Sequence, residues 1–295
     1  MGRKKGFATE AYQLFFTEVL GEQALEDHLR ASRHKLLGYR ATTYWCGENV
    51  VEVKLFPLIE ARADISAIKR EAEQERHRLA QQRLNRKNAE QRFRRLMDTN
   101  FTAKDLFITL TYAGDAPDYE QARKDIINFL KRVRRWMRRQ GITEPLRYMY
   151  VIEHEDDPEK QQRRVHHHVV ITGIDRDVVE GLWTAGRANT RRLQPDDHGL
   201  AGLAKYMSKD PKGKKRWGAS LGLKQPKVTV SDRKISRRKA EQLALQFDEV
   251  SREVLERAYP GYRLVACEVK TSKYVPGAYI NARLIRDPAR KRGRP

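Results

Sequence analysis

The chain has 295 residues, of which 60 are Lys or Arg and 39 are Asp or Glu, so its formal net charge is +21 at pH 7. A field of that sign attracts polyanions, and nucleic acid is the commonest polyanion in a cell. No apolar run is long enough to span a membrane, no signal-peptide pattern follows the basic N-terminus, and two cysteines are too few for a disulfide framework. Composition therefore predicts a cytoplasmic, nucleic-acid-binding protein.

The first 98 residues are predicted to form an N-terminal extension. Residues 49–57 have the alternation of a strand, which Pro57 is expected to end. Residues 59–98 are rich in Arg, Lys, Glu, Gln and Ala and contain neither Gly nor Pro, which predicts a long basic helix. The helix is interpreted as a solvated element packed along one edge, and contact with a DNA backbone is the alternative.

Residues 99–225 alternate between strand and helix patterns and are predicted to be one domain. Its predicted strands are 106–112, 148–153 and 166–172, and its predicted helices are 120–139, 177–185 and 199–209. Residues 154–165 are expected to form a hairpin loop. The order of elements predicts an α+β fold, a central antiparallel sheet with helices packed on one face.

Residues 226–295 are predicted to be a small C-terminal α/β extension. Its predicted elements are a strand at 227–231, a helix capped by Ser236, a strand at 262–269 and a basic tail at 289–295. No role follows from this pattern.

Three consecutive histidines stand at the start of a hydrophobic strand. Because strand side chains alternate between faces, His166 and His168 point one way and His167 points the other. Two imidazoles about 7 Å apart along a strand can share a divalent cation. A hairpin would bring Glu153 beside them, and this donor set with open positions suits Mg²⁺ or Mn²⁺. The alternative is a histidine-rich strand edge that holds no metal.

Tyr206 is the candidate nucleophile. The helix that carries it has an apolar stripe formed by Leu200, Leu203, Ala204 and Met207. Tyr206 and Lys209 lie one turn apart just beside that stripe. A phenol beside an ammonium suits phosphoryl transfer to tyrosine, because the lysine can favour the phenolate or hold a phosphate oxygen. The alternative is an ordinary amphipathic helix with a half-buried tyrosine.

Candidate DNA-binding residues are basic or aromatic side chains on the helix 120–139 and in the stretch 215–217. They are Lys131, Arg135, Arg138, Lys215, Arg216 and Trp217. The cations are expected to contact phosphates, and Trp217 is the tryptophan best placed to stack on a base. Trp136 and Trp183 are interpreted as core residues.

Three motifs in this order resemble those of the HUH endonucleases. They are the strand Phe-Ile-Thr-Leu-Thr-Tyr at 107–112, His-x-His at 166–168 and Tyr-x-x-Lys at 206–209. Within that superfamily the chain resembles the rolling-circle replication initiators of phages, prophages and small plasmids, over about residues 60–230. It departs at His167, where a bulky hydrophobic residue is usual.

The resemblance implies an HUH or RRM-like sheet and a single-tyrosine nickase. Tyr206 would cut single-stranded or extruded origin DNA, leaving a 5′-phosphotyrosine link and a free 3′-hydroxyl that primes rolling-circle replication. His166, His168 and Glu153 would hold the metal, and Lys209 would assist. No ATPase phosphate loop is present, so a separate helicase and a DNA polymerase are expected partners. The alternatives are a relaxase or tyrosine transposase of a mobile element, and a non-catalytic basic DNA-binding protein.

Overall fold

The computed structural model describes residues 6–8, 35–60, 78–157, 162–208, 217–245, 249–272 and 275–289. The chain divides into two compact units, one built from residues 1–89 with 226–295 and the other from residues 90–225. Each unit contains an antiparallel sheet and helices, which confirms the predicted α+β class. No helix in the described residues is long and apolar enough to cross a bilayer.

The described strands are numbered in chain order. They are β1 (Gly6–Ala8), β2 (Leu36–Cys46), β3 (Val50–Glu60), β4 (Leu106–Leu110), β5 (Tyr148–Asp157), β6 (Gln162–Ile171), β7 (Ala188–Arg192), β8 (Gly218–Ala219), β9 (Lys227–Ser231), β10 (Tyr262–Ser272) and β11 (Val275–Arg286). The described helices are α1 (Arg78–Asn100), α2 (Tyr119–Arg139), α3 (Arg176–Gly181), α4 (Ala201–Met207), α5 (Arg237–Leu245) and α6 (Glu249–Ala258).

The unit formed by residues 90–225 has the strand order β7-β4-β6-β5-β8, with every neighbouring pair antiparallel. One face packs against the apolar stripe of α2, whose Ile126, Phe129 and Val133 are fully buried. This face is called the α2 face. The opposite face packs against α4 and the C-terminal part of α1, and is called the α4 face.

The prediction that helices pack on one face only is wrong, because helices cover both faces of this sheet. The reason is visible in the strands, which are apolar at successive positions. Ile108 of β4 lies in the core on the α2 face, whereas its neighbour Phe107 lies in the core on the α4 face with Met149 and Val170. A sheet that is apolar on both faces needs a cover on each.

The other unit contains a sheet of order β10-β11-β3-β2-β9, and β1 pairs with the end of β3. Strand β3 comes from the N-terminal part of the chain and β11 from the C-terminal part, so segments from both ends form one sheet. Helices α5 and α6 cover one face, where buried Leu243, Leu255 and Tyr259 join the core.

Several element bounds differ from those predicted. Strand β3 passes through Pro57 to Glu60, because β11 pairs with β3 only as far as Leu55 and needs no donor from the proline. The predicted helix 59–98 therefore begins later. The described helix spans Arg78–Asn100, and residues 61–77 lie outside the described residues.

The turn between β5 and β6 is also shorter than predicted. Pairing continues to Asp157 opposite Gln162, so most of the predicted loop 154–165 is strand. Strand β7 was not predicted, because Ala-Asn-Thr-Arg-Arg carries no strand propensity and becomes a strand only by pairing with β4.

Candidate active site

Strand pairing brings the two candidate histidines and Glu153 to the α4 face. Strand β6 lies between β4 and β5, and His168 stands opposite Thr109 on one side and Val151 on the other. Glu153 stands directly opposite His166. Cross-strand partners share a face, so all three side chains project toward α4.

His168 is held in one orientation by contacts on two sides. The residue is 4% exposed, and its ring lies parallel to the ring of Phe107, with centroids 5.8 Å apart. Its Nε2 donates to Oε2 of Glu153 at 2.9 Å, since a carboxylate only accepts. The half-buried His166 ring lies 6.4 Å away, centroid to centroid. The role of Phe107 was missed in the sequence, although its alternation with Thr109 places it on this face.

Helix α4 places the hydroxyl of Tyr206 near Nε2 of His168. Ala204 and Met207 anchor the helix in the core of the α4 face, while the Tyr206 side chain stays 43% exposed. The Tyr206 hydroxyl oxygen lies 3.5 Å from Nε2 of His168, and the two rings meet edge to face with centroids 5.1 Å apart. A phenol, two imidazoles and a carboxylate therefore lie on one face of the sheet, and the residue that carries the phenol is partly exposed to solvent.

The donor types at this surface suit a hard divalent cation, because imidazole nitrogen and carboxylate oxygen both ligate Mn²⁺ and carboxylate ligates Mg²⁺. In the described residues, no group of three or more His, Cys, Asp or Glu side chains already converges as a metal site. Glu153 and His168 are instead hydrogen-bonded to each other. The residues fit the predicted metal by their chemistry and by their shared face.

His167 lies on the α2 face and is fully buried there. Its Nε2 contacts the hydroxyl of Tyr112 at 2.9 Å, and that hydroxyl donates to Asp125 of α2 at 3.1 Å. The His167 ring also packs on Trp183. Burial lowers the pKa of His167 to about 3, so the ring is neutral at physiological pH. The third histidine thus ties β6 to α2 and takes no part in the cluster around Tyr206.

The predicted DNA-binding residues are not gathered at this site. Lys131, Arg135 and Arg138 are exposed on α2, which packs on the α2 face, so the sheet separates them from Tyr206. Trp217 packs edge to face on Phe93 at 5.5 Å in the core of the α4 face. The remaining predicted site residues, Lys209, Lys215 and Arg216, lie outside the described residues.

The unit formed by residues 90–225 therefore has an α+β architecture. A histidine pair lies on the central strand of its antiparallel sheet, and a tyrosine lies on a helix that covers the sheet. A family model described as replication-associated protein ORF2/G2P matches residues 105–211. The matched segment begins at β4 and ends beyond α4, so it contains every residue of the site. No curated protein and no solved structure gives a significant match to the chain. The match is consistent with a rolling-circle replication initiator.

Proposed function

We propose that this protein is a rolling-circle replication initiator that nicks single-stranded or extruded origin DNA with Tyr206. The observation that carries the proposal is the position of the Tyr206 hydroxyl, 3.5 Å from Nε2 of His168 and on the face that also holds His166 and Glu153. The whole arrangement lies inside the segment similar to replication-associated proteins.

The proposed reaction is a transesterification at phosphorus. The Tyr206 oxygen forms a bond to the scissile phosphate, and the bond from that phosphorus to the 3′ oxygen breaks. The phenolic proton passes to water, which reaches the half-exposed side chain, and the leaving oxygen takes a proton to become a 3′-hydroxyl. The products are a 5′-phosphotyrosine link and a primer terminus, with no change in oxidation state.

His166, His168 and Glu153 are the residues that would hold Mg²⁺ or Mn²⁺. Bound there, the cation would polarise the scissile phosphate and stabilise charge that develops on it. Phe107 stacks on His168 and keeps the imidazole directed at Glu153 and Tyr206. Lys209, which follows α4 by two residues, is proposed to assist the phenolate or to bind a phosphate oxygen.

The partial exposure of Tyr206 supports its proposed role in cutting a polymer. Tyr206 lies on a short helix that is buried on only one side, and the residue is 43% exposed. A separate helicase is a proposed partner, because the sequence has no ATPase phosphate loop. A DNA polymerase is the second proposed partner, because it would extend the free 3′-hydroxyl.

The test is denaturing gel electrophoresis of 5′- and 3′-labelled single strands tiled across the DNA that flanks the gene. Wild type, Tyr206→Phe and Tyr112→Phe are compared with Mn²⁺ and with EDTA. Tyr112 is the matched control, because its hydroxyl also contacts a histidine but on the α2 face.

A shifted adduct on the 3′-labelled fragment is expected for wild type and Tyr112→Phe. It should be absent for Tyr206→Phe and in EDTA. Retained cleavage in Tyr206→Phe would assign the nucleophile elsewhere. Tight binding without an adduct on any strand would favour a non-catalytic DNA-binding protein.

A further inference from the structure

The edge strand β7 presents a row of polar side chains to the α4 face. Asn189 pairs with Thr109 and Arg191 pairs with Phe107, and both β4 residues project toward α4. Arg187 exchanges two backbone hydrogen bonds with Thr111, which continues the same register. Residues 187, 189 and 191 therefore form a row on the face that carries Tyr206, and this set is called the β7 row.

The β7 row presents positive charge at the edge of the sheet. All three side chains are exposed. Among the described residues, neither Arg187 nor Arg191 forms an ion pair with a carboxylate. Strand β7 ends the sheet, so its outer side pairs with no other described strand. Two guanidinium groups at one edge, without a carboxylate partner in the part of the chain that the structure describes, leave a positive site open to an anion.

Arg191 is linked to the candidate site through Phe107, whose ring contacts both the Arg191 guanidinium and the His168 ring. Its guanidinium carbon lies 4.9 Å from the centroid of the Phe107 ring, and the centroid of the His168 ring lies 5.8 Å from the same Phe107 centroid. Two strand spacings, or about 10 Å, separate β7 from β6. A polyanion that reaches Tyr206 from this side must therefore pass over the β7 row.

The approach of the chain to β4 at the start of this row is tight. A Cβ atom at Gly186 would lie 2.3 Å from the carbonyl oxygen of Thr111. Only glycine allows that approach, which holds the backbone of Arg187 against β4. The first member of the row is thus positioned by the sheet itself.

We infer that the β7 row binds phosphates of the single DNA strand next to the bond that Tyr206 cuts. The identity of the ligand as DNA rests on the function proposed above. Arg187 and Arg191 would each form charge-assisted hydrogen bonds to a phosphate, and the Asn189 amide would donate to a phosphate or sugar oxygen. This assignment differs from that of the basic residues of α2, which lie across the sheet.

The test compares two double variants with the same loss of charge. One is Arg187→Gln with Arg191→Gln, and the matched control is Arg252→Gln with Arg257→Gln, two exposed arginines on α6. Affinity for a fluorescein-labelled single-stranded oligonucleotide is measured by anisotropy in EDTA over a series of salt concentrations. Thermal melting checks that each variant is folded. Arg191→Lys keeps the positive charge but removes the planar guanidinium group, so it separates the effect of charge from that of stacking on Phe107.

The β7 double variant is expected to lose about tenfold in affinity. Its slope of log K against log salt should fall by about 1.4, because two phosphate contacts are removed. The control pair should change neither value, and Arg191→Lys should retain most of the salt slope. A folded β7 variant with unchanged affinity and slope would overturn the inference.

An equal loss in both double variants would also overturn it, because general attraction to a basic protein would then explain the binding. The binding assay needs no cleavage. Failure of wild type to form an adduct would therefore remove the proposed function without changing the outcome for the β7 row.

Discussion

The hydroxyl oxygen of Tyr206 and Nε2 of His168 lie 3.5 Å apart, and the same nitrogen donates to Glu153 at 2.9 Å. Helix α4 and strands β6 and β5 each supply one of these groups. A change at any one of these groups is expected to affect the other two, because the Tyr206 hydroxyl and the Glu153 carboxylate both contact Nε2 of His168.

Glu153→Gln should raise the Mn²⁺ concentration needed for half-maximal adduct formation by on the order of 10–100-fold, a range typical when a metal site loses a supporting carboxylate. The amide keeps the size of the side chain but removes its charge. Mn²⁺ titration of the adduct assay measures the change. Glu120→Gln, an exposed carboxylate on α2, is the control. An unchanged Mn²⁺ requirement in Glu153→Gln would exclude this carboxylate as a ligand.

Adjacent histidines should behave differently when substituted. His168→Ala should abolish metal-dependent cleavage but keep most of the affinity for single-stranded DNA, since cationic side chains dominate that affinity. His167→Phe should form the adduct but lower the free energy of unfolding by about 1–3 kcal/mol, because it leaves the half-buried Tyr112 hydroxyl with one partner fewer.

Parallel gel, anisotropy and urea-unfolding measurements on the two variants separate these effects. If His167→Phe were folded yet unable to cleave, the assignment of the two histidines to opposite roles would be wrong. Equal loss of DNA affinity and cleavage in His168→Ala would contradict the separation of binding from chemistry.

Trp217→Ala should reduce stability more than DNA affinity. The indole packs on Phe93 in the core of the α4 face and is only half-buried, so the expected cost is about 2–3 kcal/mol, less than that of a fully buried tryptophan. Urea unfolding and anisotropy are measured together, with exposed Arg252→Ala as the control. A large loss of affinity with unchanged unfolding would instead identify Trp217 as a stacking platform for bases.

Alkaline pH should destabilise the unit that contains Tyr39. Burial raises the pKa of this phenol above its ordinary value of 10.0. Its contribution to stability is therefore complete below pH 10 and is lost as pH rises, because only the unfolded chain releases the proton there. The loss should approach about 1.4 kcal/mol per pH unit.

Urea unfolding from neutral pH to about pH 11 tests this dependence on pH. Tyr39→Phe should begin less stable, because it leaves the Ala278 amide without its phenol acceptor, but should lose less stability above pH 10. Parallel pH profiles for the two proteins would show that another group controls alkaline unfolding.

Local periodicity was enough to predict the parts of the candidate site that lie within one element. Alternation along β6 predicts that His166 and His168 share a face, and the apolar stripe of α4 predicts that Tyr206 lies beside the core. Both features depend on side-chain geometry within a few residues of the chain, which the sequence contains in full.

The sequence by itself determined the α+β class, the basic character of the chain and the order of its candidate chemical groups. The tertiary structure decided that helices cover both faces, that β3 pairs with β11 and that β7 borders the site face. It also decided that the basic side of α2 lies across the sheet from Tyr206. These features depend on pairing between residues far apart in the chain, for which the local pattern of Arg187, Asn189 and Arg191 carries no signal.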